Sequence, residues 1–494
     1  MNALLVYPRF PDTYWSFRFA LSFQGKRAAQ PPLGLMTVAA LMPRSWNKRL
    51  VDTNVEKLHD RDIAWADVVF ISGMHVQSQD LIAIVRRCRA RGRRTVVGGP
   101  VASSLPASEL EADHVVIGEA EDLIASLARD LEGGEARAVY QASERPSMEC
   151  SPLPMLGLIR MNRYSTMTVQ YSRGCPFNCE FCDIIEIYGR RPRSKAVAQT
   201  LAEFDQLHAA GWRGPVFIVD DNFIGNKVRV RELLTALTEW QKARGYPFRL
   251  ITEASLNLAD DDSLLRAMQD AGFASVFLGI ETPDEPSLAA AQKFQNTRRD
   301  LIASIRHIQQ HGIEVMGGFI LGFDTDREDV FDRLVEFIEK SEIPIAMVGL
   351  LQAMPGTRLF RRLFQEGRIL HAGGGNNTGC ELNFQPRMNA SRLVDGYRSV
   401  LQRIYNRPAY YARVRACLSR CQPKYRAHLT LENLRALFFS MLRLGIFGKA
   451  RLCYWKFVLS AATRHRRSFG AAMTLAVMGY HFQRMTERIL EGEV

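Results

Sequence analysis

Over residues 1–140 the apolar positions fall in short blocks rather than long stripes. Residues 3–8, 48–53, 67–72, 94–98 and 114–118 are largely apolar runs closed by Pro, Thr, Ser or Gly. Blocks of this kind predict strands of a parallel sheet, covered by helices on both faces. Residues 32–43 begin and end in proline with helix formers between, and 80–91 also read as helix. The alternation predicts a Rossmann-like, doubly wound α/β domain over 1–140.

Residues 141–165, with Pro146, Pro152 and Pro154, read as a linker. Beyond it the alternation resumes with longer units. Strands are expected at 166–171, 216–220, 249–253, 275–280, 314–319 and 345–351. Helices are expected at 196–210, 228–245, 262–272, 298–312 and 327–341, three of them ending in the glycine that helix C-termini favour. Six strands with crossover helices predict a partial (β/α)6 TIM-type barrel over 166–387, active at the strand carboxyl ends. From 388 to 494 the pattern turns helical, basic and aromatic. Stripes at 438–447 and 452–461 look amphipathic; core packing is the ordinary explanation and a membrane surface the minority one.

Composition narrows the field. At 494 residues with 47% hydrophobic and 23% charged residues, the chain has material for about three globular domains. The start, Met-Asn-Ala-Leu-Leu-Val-Tyr-Pro, reads as a first strand rather than a secretory signal, and no apolar run reaches membrane-span length. A cytoplasmic protein is expected. The net charge of +12 is concentrated toward the C-terminus, as at Arg413, Arg415 and 464–467. Solvated helix faces account for such clusters, and no nucleic-acid partner is expected.

The chemistry centres on Gly174-Cys-Pro-Phe-Asn-Cys-Glu-Phe-Cys182. Three thiolates on one loop can hold three irons of a cubane and leave the fourth open, whereas a closed cluster takes four cysteines. Zinc sites pair such a loop with a second half that is missing here, and nine sparse cysteines do not make a disulfide framework. Each later barrel strand also delivers polar residues at its carboxyl end: Asp220, Asp221 and Asn222; Glu253 and Ser255; Glu281; Gly318 to Asp324; Gln352 to Thr357. Several in phase exceed what capping requires, although Asp220 and Asp221 read equally well as a capping or salt-bridging pair.

Cys175-x-x-x-Cys179-x-x-Cys182, with Phe181 before the last cysteine, resembles the signature of the radical S-adenosylmethionine enzymes. The resemblance implies a 4Fe-4S cluster whose open iron is chelated by S-adenosylmethionine. It puts the methionyl amine near Asp220, Asp221 and Asn222, and the ribose and carboxylate near Glu253, Ser255 and Glu281. Gly318, Leu321 and Gly322, with Phe181 and Tyr188, would flank adenine. Residues 1–140 resemble the cobalamin-binding domain that precedes many radical cores. Met74, Gln77, Ser103, Ser104 and Glu119, at its strand ends, are the expected contacts. The Asp-x-His-x-x-Gly motif that supplies histidine to cobalt is missing.

Residues 11–17, 31–35, 220–223 and 376–384 are similar to the branch with an extra helical C-terminal domain, which includes the hopanoid methylases. That resemblance implies methyl transfer from cobalamin to an unactivated carbon or phosphorus, and a flavodoxin- or ferredoxin-type electron donor. It also implies a small-molecule or lipid substrate and allows peripheral membrane contact. Cys380, in the 376–384 loop, is a candidate catalytic residue. Cys88, Cys150, Cys417, Cys421 and Cys453 read as ordinary thiols. Two alternatives stand at this point: cobalamin-independent transfer of the aminocarboxypropyl group, and a non-catalytic iron–sulfur protein.

Overall fold

The computed structural model describes residues 1–425 and 430–493. The first sheet is built from β1 (Asn2–Tyr7), β2 (Asn47–Asp52), β3 (Val68–Ser72), β4 (Arg94–Gly98), β5 (His114–Ile117) and β6 (Val139–Gln141). Its order is β2-β1-β3-β4-β5-β6, all parallel. The order reverses between β1 and β3, which opens a ligand crevice at the strand carboxyl ends. Two buried layers, one on each face, match the apolar blocks in the sequence. The edge strand β6 is too short to carry a legible pattern.

The second sheet holds β7 (Met167–Val169), β8 (Pro215–Ile218), β9 (Arg249–Ala254), β10 (Phe273–Glu281), β11 (Glu314–Leu321) and β12 (Ile345–Leu350). These run parallel in strictly sequential order, β12-β11-β10-β9-β8-β7. Sequential order with outer crossover helices is an open barrel. Burial alternates along β8, β9 and the first half of β11. One set packs on the outer helices, while Phe217, Ile251, Glu253, Phe277 and Met316 stay half-buried and line the lumen.

The segment 141–165 is tied down. Tyr164 Oη donates to Asp52 Oδ2 at 2.9 Å, and Met148 and Leu156 are buried. Five longer helices complete the chain: Ala390–Ile404, Arg407–Arg420, Leu431–Ser440, Arg451–Arg464 and Phe469–Leu490. They extend the barrel core, with Tyr405 stacked on Phe482 and Arg413 buried between Glu339 and the Ile343 and Ile404 carbonyls. The stripes at 438–447 and 452–461 depart from the core-packing expectation. Ser440, Leu444, Tyr454, Phe457 and Ala461 do face inward, but Phe438, Ile446, Phe447, Leu452, Trp455 and Leu459 are exposed. No helix among the described residues is long and apolar enough to cross a membrane.

Candidate active site at the barrel mouth

The cysteine loop leaves β7 through a two-residue antiparallel ribbon, Ser172–Arg173 against Arg193–Ser194. Asp220, at the end of β8, holds the start of this ribbon. It accepts from the Tyr171 and Ser172 amides, both at 2.8 Å, and from Ser172 Oγ at 2.6 Å. Burial nevertheless outweighs these bonds and lifts its pKa to about 6. Gly174 follows with φ +94°, and a Cβ there would lie 2.8 Å from the Gly189 carbonyl. The loop can turn here only with glycine. Asp221 accepts the Gly174 amide at 2.9 Å, and burial raises its pKa to about 7.

Two further clamps fix the loop. Glu119, at the end of β5, ion-pairs with Arg173 at 2.7 Å and Arg193 at 2.5 Å, while Glu121 takes the other Arg173 nitrogen at 2.8 Å. Beyond β12, the helix Arg358–Gln365 sends Arg358 to the Asn178 carbonyl and Arg362 to Glu180 at 2.6 Å.

All three loop cysteines are free thiols, and burial raises the pKa of Cys175 and Cys182. Side-chain amides point at their sulfurs: Asn222 Nδ2 at 3.7 Å from Cys175 Sγ, and Gln295 Nε2 at 3.6 Å from Cys179 Sγ. Lys293 lies close enough to Cys179 and Cys182 for both to act on its charge. Donors and a cation around sulfur are what thiolates bound to iron require. Among the described residues, the group with ligand atoms all within 4.8 Å is instead Asp262, His307 and His311, on outer helices.

Inside the mouth, Asn222 also donates to Ser255 Oγ at 3.2 Å, and Ser255 donates to Asn257 Oδ1 at 2.6 Å. One amide thus joins the cysteine loop to the lumen wall. The Glu253 carboxylate beside it has no hydrogen-bond partner among the described residues. Burial, then the charge of Asp221, raises its pKa to about 8. Glu281 adopts φ +68° at a register irregularity in β10 and ion-pairs with Lys293. Burial works against the Lys293 charge, but Glu281 holds its pKa above the usual value. A non-glycine residue in this region costs about 1–3 kcal/mol and clusters at functional sites.

Gly318 faces the lumen and could not carry a side chain without displacing Phe277, 2.7 Å from its ideal Cβ. Leu321 is fully buried among the outer helices; Ile320, one position earlier, packs instead on the layer shared with Phe181. Phe181 lies edge-on to Phe323, and Tyr188 lies near Asp221, with burial raising its pKa. Gly322, at φ +107°, turns the chain away from the sheet, its amide bound by Asp326 at 2.8 Å.

The strand-end loops of the first sheet split into two groups. Gln77 is spent internally, accepting from the Met74 amide at 2.8 Å and donating to the Pro8 carbonyl, and Glu119 serves the arginine clamp. Met74 is 45% exposed, and Ser103 and Ser104 each make one internal bond, to the Gly118 amide and the Pro100 carbonyl. Gly99 and Gly118 take positive φ in the same loops; a Cβ at Gly99 would strike Ser72 Oγ, whereas Gly118 has open space where a side chain would stand. His75, the histidine of these loops, donates through Nε2 to the Gly373 carbonyl at 2.9 Å.

The 376–384 loop lies across the end of β12. The Leu350 amide donates to the Asn377 carbonyl at 3.1 Å, and Asn383 exchanges bonds with Ala353 at 3.0 and 2.8 Å. Cys380 is partly buried beside Tyr14 and Tyr397. Sequence reasoning missed Lys293, the partners Arg173 and Arg193, Ile320, and Trp15, whose ring meets Phe277 edge-on at 5.0 Å above the lumen. Trp15 and Ile320 lay in stretches already singled out; Lys293 and Arg173 did not.

Matches to known families follow this architecture. Residues 28–128 match the B12 binding domain, 169–338 the Radical SAM superfamily, and 357–493 a domain of unknown function (DUF4070). The molecule is therefore a radical S-adenosylmethionine enzyme with a B12-binding domain, and its cofactors are a 4Fe-4S cluster, S-adenosylmethionine and cobalamin.

An uncharacterized methyltransferase of Synechocystis sp. is 41% identical over 99% of this chain and 92% of its own length. The hopanoid C-2 methylase of Rhodopseudomonas palustris is 37% identical over 93% and 89%. The chain belongs to this family of radical S-adenosylmethionine methyltransferases. The fold is shared with the cobalamin-dependent radical enzyme OxsB, at TM-score 0.64 and 14% identity over 99% of this chain and 80% of that one. It is shared also with the methyltransferase TsrM of Kitasatospora setae, at TM-score 0.59 and 15% identity over 96% and 99%.

Proposed function

We propose that the enzyme methylates an unactivated carbon of an apolar molecule held in the barrel lumen. The observation that carries the reading is Asn222, which touches Cys175 on one side and Ser255 on the other, beside Glu253, whose carboxylate has no hydrogen-bond partner among the described residues. In this reading Cys175, Cys179 and Cys182 hold three irons. Asn222, Ser255, Glu253 and Glu281 receive the ammonium and ribose hydroxyls of S-adenosylmethionine, and Gly318, Ile320 and Phe181 border its adenine. Asp220 and Asp221 act as braces of the cysteine loop. Met74, Ser103, Ser104 and Gly118, on the strand-end loops of the first sheet, would hold the corrin. Bound together, these cofactors supply a carbon-centred radical and a transferable methyl group.

Phe217, Ile251, Phe277, Met316 and the covering Trp15 make the lumen wall apolar, and the 37% identical hopanoid C-2 methylase supports a substrate of hopanoid-like character. Cys380 remains a candidate substrate contact at the closing loop. As a radical enzyme it needs a reductant, for which a flavodoxin or ferredoxin is the fitting donor, and nine free thiols suit the cytoplasm.

The test is anaerobic purification with added cobalamin and a reconstituted cluster, then product analysis after reduction with S-adenosylmethionine. Retained cobalamin with deoxyadenosine and S-adenosylhomocysteine is expected. Methylthioadenosine without cobalamin would overturn the reading in favour of aminocarboxypropyl transfer.

A further inference from the structure

Seventeen large apolar side chains are strongly exposed among the described residues, and eight of them fall between 431 and 459. Scattered exposed apolar residues are ordinary; a concentration of this kind marks an interaction surface. On the helix Leu431–Ser440 they recur as Leu431, Leu434 and Phe438, and on Arg451–Arg464 as Leu452, Trp455 and Leu459. Both sets follow the i, i+3, i+7 spacing of a single helix face. Ile446 and Phe447 fill the connection, Phe447 being 80% exposed.

The faces are held in place from beneath. Ser440 Oγ and Tyr454 Oη bond at 2.9 Å across the two helices, and Trp455 Nε1 donates to the Gly445 carbonyl at 3.0 Å. The apolar side chains therefore project from an ordered platform whose inner residues are already buried.

Charge identifies the occupant. From 433 to 486 the chain contains no aspartate or glutamate, while Lys449, Arg451, Lys456, Arg464, Arg466 and Arg467 all lie in or beside the two helices. The nearby acid, Glu432, is held by Lys26 at 2.5 Å. Exposed leucine, phenylalanine and tryptophan interleaved with unopposed cations match the headgroup and acyl boundary of an anionic bilayer.

We propose that this face docks the enzyme peripherally on an anionic lipid bilayer, its apolar side chains entering the boundary and its cations resting among the headgroups. The same platform packs on the helix Arg18–Gln24, which follows directly on the turn carrying Trp15 at the lumen.

The experiment is flotation of the cluster-loaded full chain with vesicles of phosphatidylcholine, with and without phosphatidylglycerol. Strong flotation with the anionic vesicles only is expected, falling at about 0.5 M salt as screening shortens to a few ångströms. Combined Phe447→Ser, Leu452→Ser and Leu459→Ser should lower partitioning at least tenfold while thermal stability and S-adenosylmethionine cleavage are retained. Lys449→Gln with Lys456→Gln, which leaves the apolar face intact, should lower it by about fivefold per cation. Absence of flotation, or flotation unaltered in both variants, would overturn the proposal. So would a wild-type dimer that the serine variant converts to monomer, since the face would then belong to a second copy.

Discussion

Substituting Glu253→Gln tests the electrostatics of the lumen directly. The Glu253 carboxylate has its pKa raised from 4.5 to about 8, by burial first and the Asp221 charge second. A folded-state pKa above the unfolded value means that the native protein keeps this proton to higher pH. The contribution to stability is full below the unfolded pKa and is lost as pH rises through the folded one. At about 1.36 kcal/mol per pKa unit, the loss between pH 4.5 and 8 is on the order of 4 kcal/mol.

Glutamine has no proton to lose. The variant should match wild type near pH 5 and exceed it near pH 8. With unfolding entropy of about 2.1 cal/mol/K per residue, a chain of this size gains about 4 °C in Tm. The assay is thermal unfolding of cluster-free protein by circular dichroism across that pH range. A gap between variant and wild type that is constant with pH, or reversed at pH 8, would refute the reasoning. If Glu253 also receives S-adenosylmethionine, the same variant should bind it about tenfold or more weakly, the usual value of a hydrogen bond to a charged group.

Three further outcomes are expected. Glu119→Ala leaves Arg193 and part of Arg173 buried without their carboxylate and should destabilise the protein by about 3 kcal/mol in denaturant unfolding; bound cobalamin should fall in parallel, because the clamp joins the two sheets. Gly318→Val drives a side chain into Phe277 and should reduce S-adenosylmethionine affinity at least tenfold, measured by calorimetry, with a much smaller change in Tm. Cys182→Ala should abolish both the cluster absorbance and reductive cleavage while leaving the far-ultraviolet spectrum unchanged.

Much of this protein can be read along the chain because the signals are local. Strand blocks, C-terminal glycines and the three-cysteine spacing each depend on residues a few positions apart, and β9, β11 and β12 lie within a few residues of where the apolar pattern puts them. Chemistry carried by residue type within one loop was equally visible: the cysteines, and the acids at the strand ends.

Tertiary structure decided what those residues do. Asp220, Gln77 and Glu119 carry the same carboxylate or amide chemistry as Glu253, yet their hydrogen-bond capacity is taken up by amides, a carbonyl and guanidinium groups from distant segments. Leu321 and Ile320 are equally apolar, and the phase of β11 in the open barrel selects between them. Lys293 gains its meaning from Glu281 and the cysteine loop, which only folding brings to it. The stripes at 438–447 and 452–461 show the same limit: amphipathicity specifies that a helix has two faces, and only the assembled core determines how much apolar surface it can cover.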